Sequence, residues 1–130
     1  MMKPVFQDPD EPEFGAACIA MLARTTIEEG RRAAYGDKAP KRLGRKKVLK
    51  ALAVLSSLKP QSSDCVRLSK KFRLADLKND ALLQGSVLIR DGRKWTKSLH
   101  WLVWDHRSQC VRDPLGFSDA IQITSVTEVA

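Results

Sequence analysis

The sequence predicts an α+β fold in which N-terminal helices pack on a C-terminal antiparallel β-sheet. Up to Pro60 the apolar residues recur at helical spacing; from Asp64 onward short β-rich runs with period-two alternation take over. Helices first and strands afterwards is the order of the α+β class. At 130 residues the chain suits one domain, residues 1–130, with a single core.

Proline and acidic residues dominate the start (Pro4, Pro9, Pro12, Asp8, Asp10, Glu11, Glu13), which predicts an irregular arm over residues 1–13. Its negative charge suits the positive end of a following helix. That helix is expected from about residue 14 to residue 24, with Phe14, Ala17, Cys18, Met21 and Leu22 on one buried stripe. Thr25-Thr26-Ile27-Glu28-Glu29 holds two overlapping capping boxes that start a second helix, expected to end near Tyr35 with Gly36 after it. A basic loop follows. Val48, Leu52, Leu55 and Leu58 predict a third helix over residues 46–58, stopped by Pro60.

Beyond it, residues 65–68 read as a short strand and residues 73–83 as a short helix broken by Gly85. Residues 86–90 form a strand ended by Asp91-Gly92, and a loop holding Trp95 leads to a hairpin. Residues 122–127 supply a last strand. Cys65 and Cys110 are expected as small core residues, Trp101 as core, and His106 as a surface turn residue.

The hairpin carries the chemistry. Along residues 99–104 a period of two puts His100 on the face opposite to Leu99. A turn at residues 105–108 brings His100 level with Asp113 on the returning strand, on the same face. A carboxylate so placed holds an imidazole in one tautomer and raises its basicity, which makes two-thirds of a nucleophile–base–orienter site. An ordinary surface pair is the plainer account of the same two residues.

Composition narrows the function classes. With 43% hydrophobic and 29% charged residues the chain reads as a soluble globular protein. No apolar run approaches a membrane span, and no secretory signal is visible, so a cytoplasmic location is expected. The three cysteines have no metal-ligand or disulfide spacing, and no glycine-rich phosphate loop occurs, so neither metal nor cofactor is expected. The net charge is +8, concentrated in residues 38–47, where Lys41, Arg42, Arg45, Lys46 and Lys47 could meet nucleic acid or an acidic protein. Nucleic acid is the less favoured partner, because no reading motif or aromatic platform accompanies the charge.

Gly15-Ala16-Ala17-Cys18-Ile19-Ala20-Met21, His100-Trp101-Leu102-Val103 and Asp113-Pro114 occur in that order. The series resembles papain-like cysteine peptidases, and more closely the bacteriocin-processing branch that cuts double-glycine leaders, with its free-standing relatives. Members of that family carry Gln, then Cys-Gly-Pro-Ala-x-x-Ala-Met at the first helix, later His-Phe-Val-Val on one strand and Asp-Pro on the next. The capping segment at Thr26, the third helix and the strand at residues 86–90 also have counterparts there, so the resemblance covers nearly the full length. It implies a papain-like fold with His100 as base and Asp113 as orienter. Gln7 falls near the family's oxyanion-hole glutamine, and Phe14 stands where its catalytic cysteine should be.

Two readings follow from the resemblance. In one, the domain is degenerate: Phe14 cannot attack a carbonyl, and the former substrate cleft, with Phe14, Trp95 and Trp104 as candidate walls, binds a peptide or protein. Similar non-catalytic domains occur in certain secretion transporters. In the other, Cys18 is the nucleophile of an active cysteine peptidase, activated by His100 with Asp113 behind it. Cys18 lies one turn inside an apolar stripe, where a thiol is inert, and that favours the first.

Overall fold

Seven consecutive buried residues, Ala16 to Leu22, make α1 (Ala16–Ala23) apolar on every side, so it runs through the interior rather than across the surface. The computed structural model describes residues 2–6, 15–39, 41–62, 65–67, 73–114 and 121–130; Gln7, Phe14 and most of the expected N-terminal arm lie outside the described residues. The helix begins at Gly15, whose φ of 129° few other residues adopt, and ends at Arg24 in the left-handed region. The segment before it is anchored: Met2 is buried in the same core as α1.

Helix α2 (Ile27–Tyr35) starts as its capping residues predict, with the Glu29 N–H donating to Thr26 Oγ1, and Gly36 ends it. Gly30 presses against α1 so closely that a Cβ there would lie 2.5 Å from the Ala16 carbonyl oxygen. Helix α3 (Arg45–Leu55) buries Val48, Ala51 and Leu52. It stops three residues before the expected end. The Ser56 hydroxyl donates to the Leu52 carbonyl and accepts from the Leu58 N–H, which turns the chain before Pro60 is reached. Pro60 instead bridges to Val129.

The sheet is antiparallel and contains β1 (Val66–Arg67), β2 (Ala81–Asp91), β3 (Lys94–Asp105), β4 (Cys110–Arg112) and β5 (Gln122–Glu128), in the order β1-β5-β2-β3-β4. The architecture is therefore α+β, with three helices and five strands among the described residues. Within them, no helix is long and apolar enough to cross a membrane.

Two apolar clusters lie on the sheet. Leu82, Trp101 and Val103 pack with the helices, while Leu83, Leu102 and Trp104 pack with Leu77, Ile121 and Val126. From Ala81 to Leu83 and from Trp101 to Trp104, each step thus passes from one core to the other. This explains the failure of the helix expected at residues 73–83: only a 3₁₀ turn forms (Leu74–Asp76), and Ala81, Leu82 and Leu83 open β2. A central strand buried on both faces reads as a continuous apolar run, as a buried helix does.

Trp95 stands within β3 rather than in a loop, because Asp91 pairs with Lys94 across a two-residue turn in which Gly92 has φ 63°. Cys65 is exposed and Cys110 half-buried, against the expectation of core positions; Cys65 directly precedes β1 and Cys110 opens β4, the two strands at the ends of the sheet's order among the described residues. His106 is half-buried, its N–H donating to Asp80 Oδ1.

Candidate functional site

Strand β3 carries His100 opposite Gly85, and the chain leaving β4 carries Asp113. His100 Nε2 lies 2.6 Å from Asp113 Oδ1, with the two side chains 3% and 1% exposed. This is the length of a charge-assisted hydrogen bond. With Nε2 committed to the carboxylate, Nδ1 is the ring nitrogen left for any further proton transfer.

The register that produces this contact differs from the expected one. The turn comprises His106 to Gln109, and Asp105 pairs with Cys110, so one step past the Val103–Arg112 pair Asp113 comes level with Leu102. A shift of two residues keeps every side chain on its face. Asp113 therefore meets His100 along the diagonal, within reach of longer side chains.

Asp105 sets that register. Its carboxylate is buried within β3, accepts from Arg112 Nη2 at 3.1 Å, and also takes the Ser108 N–H. Burial alone would raise its pKa, but the hydrogen bonds from Arg112 and Ser108 outweigh burial and hold it below the usual carboxylate value.

Cys18 is fully buried in the cluster that contains Trp101 and Val103. His100 alternates with those two residues along β3, and its cross-strand neighbour Gly85 faces Ile121 and Leu102 in the other cluster. Among the described residues the Cys18 thiol makes no hydrogen bond. Burial pushes its pKa far up, and the negative charge of Asp113 pushes it further. A thiol so held stays protonated and does not attack a carbonyl.

A pocket of about 310 Å³ opens beside His100, lined among others by Arg42, Arg45, Gln84, Leu99 and Trp101. Arg42 Nη2 donates to the Leu99 carbonyl at 2.6 Å, and Arg45 Nε donates to Thr127 Oγ1 at 2.9 Å. These two cations thus tie the helical layer to the sheet and make the pocket wall basic. The Trp101 indole N–H donates to the Leu43 carbonyl, fixing the loop that carries Arg42. Leu43 also stands within 3.3 Å of the Cβ position of Gly15, which brings the start of α1 to the pocket's edge.

Of the candidate site residues, Arg42, Arg45 and His100 line this pocket; Asp113, bonded to His100, lines a separate opening with Phe6 and Met21, and Cys18 lies in the core. Trp104 does not wall an open cleft: it is 6% exposed, under Leu77 and Ile121. Trp95 is 63% exposed on the projecting end of the β2–β3 hairpin and lines no part of this pocket. Lys41 and Lys47 face a different groove, between α2 and α3, and Lys46 is exposed. Gln84 and Leu99 are not among the residues the sequence singles out; the available signal is Gln84, a long polar side chain directly after the apolar Ala81-Leu82-Leu83.

No protein-family model matches the chain, and neither a curated protein nor a solved structure matches it. Among the described residues no three His, Cys, Asp or Glu side chains are grouped to hold a metal ion.

Proposed function

We propose that this chain is a catalytically silent papain-like domain of the bacteriocin-processing peptidase type, which binds a peptide or protein segment in the pocket beside His100. The observation that carries the proposal is the pairing of a buried His100–Asp113 hydrogen bond with an open pocket, while the cysteine of the first helix is locked in the core. A base with an orienter but no ionisable thiol can position a bound chain and cannot form an acyl-enzyme. Leu99 and Trp101 offer apolar contact, and Gln84, Arg42 and Arg45 offer donors to backbone carbonyls or carboxylates.

The test uses a pool of random decapeptides on the folded full chain. Peptides should be retained uncut, their binding should shift the Trp101 indole resonance, and Gln84→Ala should weaken it about tenfold. Cleavage that disappears in Cys18→Ala would establish the active peptidase instead. If no peptide is retained while an oligonucleotide binds with a steep salt dependence, the basic surface is the functional one.

A further inference from the structure

Helices α2 and α3 leave a groove between them of about 320 Å³ on the outside of the helical layer. Its floor is apolar, formed by Ala33, Ala34, Ala51 and Val54, and Val54 is 70% exposed. Four ammonium groups rim it: Lys38 and Lys41 from the loop after α2, Lys47 and Lys50 from successive turns of α3. All four lysines are exposed, none makes a side-chain hydrogen bond or ion pair among the described residues, and no carboxylate lines the groove. Four like charges around one apolar floor repel one another.

We infer that this groove docks an acidic amphipathic helix of a partner protein, its apolar side chains on the alanine and valine floor and its carboxylates against the lysine rim. Small floor residues let a third helix approach at ordinary packing distance. Such an arrangement is the helix-in-groove mode of recognition, and the missing carboxylates define the partner's charge. Nucleic acid fits less well, because Tyr35, the aromatic residue in the lining, is buried and its hydroxyl donates to the Lys41 carbonyl, which leaves little ring face on which bases could stack. Along α3 the lining runs from Lys47 to Val54, so the groove can support about 12 Å of partner helix. The inference is independent of the His100 pocket.

The probe is a labelled peptide of about 14 residues with leucines along one helical face and glutamates along the other. Controls are a scrambled peptide of the same composition and an oligothymidylate of similar charge. Binding to the full chain is read by anisotropy and by amide chemical shifts. The designed peptide should bind, shift amides of α2 and α3, and weaken with added salt. Val54→Glu and Lys50→Glu, both at exposed positions, should each reduce affinity about tenfold with an unchanged circular dichroism spectrum. The inference is overturned if the scrambled peptide binds equally well, if oligothymidylate binds more tightly to the same residues, if the shifts map to Leu99 and Trp101, or if nothing binds.

Discussion

His100 and Asp113 have almost no solvent contact, so water does not readily replace the hydrogen bond between them. His100→Ala leaves a buried carboxylate without that partner and should cost about 3–5 kcal/mol of stability, read as a lowered urea midpoint. Asp113→Asn, which keeps an acceptor oxygen, should lose less. The three cysteines should separate by reactivity. Iodoacetamide should label exposed Cys65 first, half-buried Cys110 more slowly, and Cys18 only on unfolding, as peptide mass mapping would show. The raised Cys18 pKa has a consequence for alkaline stability. The folded state keeps a proton that the unfolded chain loses above about pH 8.5, so this contribution is complete below that pH and declines as pH rises beyond it. Asp105 acts in the opposite sense. Its lowered pKa stabilises the fold above about pH 3.9, and the benefit disappears as pH falls through the folded value. Asp105→Asn should therefore flatten the acid limb of the stability profile.

At the level of elements, the ends of helices and the tight crossings are the sensitive points. Thr26→Ala removes the acceptor of the Glu29 N–H and should cost about 1 kcal/mol in thermal melts. Gly30→Ala must move α2 away from the Ala16 carbonyl. Gly85→Ala would place a methyl 2.9 Å from the Gln122 carbonyl and 2.5 Å from Ile121. Each glycine substitution should cost about 1–3 kcal/mol, since the obstruction includes backbone that cannot rotate aside. Gly85→Ala should also disturb His100 on the neighbouring strand, seen as a change in its ring resonances. Capping chemistry made α2 legible in the sequence down to its ends. The β3–β4 turn was misplaced by one residue because its left-handed position is filled by Gln109, φ 52°, which carries none of the signal that Gly or Asn would.

Across the whole molecule, the two faces of the sheet do different work. One carries the helices; the other is covered by Leu77 and Ile121 from connecting segments. The 41–44 loop stands between two openings, since Leu43 lines both the His100 pocket and the α2–α3 groove. Arg42, like Arg45 at the start of α3, turns to the sheet, while Lys41 turns to the groove. Met2 reaches the helical core from the far end of the chain, and Met2→Ala should cost about 2–5 kcal/mol, visible as a melting temperature several degrees lower. A basic stretch that reads as one charge cluster is thus divided by folding between two sites.

Local chemistry determined much on its own. Capping residues placed α2, the apolar content of residues 16–22 buried α1, and the order of helices and strands gave the α+β class, because these depend on neighbours within a few positions. The proximity of His100 to Asp113 was also legible, since a hairpin register is local and a two-residue slip leaves both on one face. Tertiary structure alone decided the rest: that Ala81, Leu82 and Leu83 join a strand buried on both sides, that Met2 belongs to the core, and that Trp104 is covered. Each depends on which distant segment arrives to cover a side chain, and that long-range packing leaves no pattern in the sequence around the residue itself.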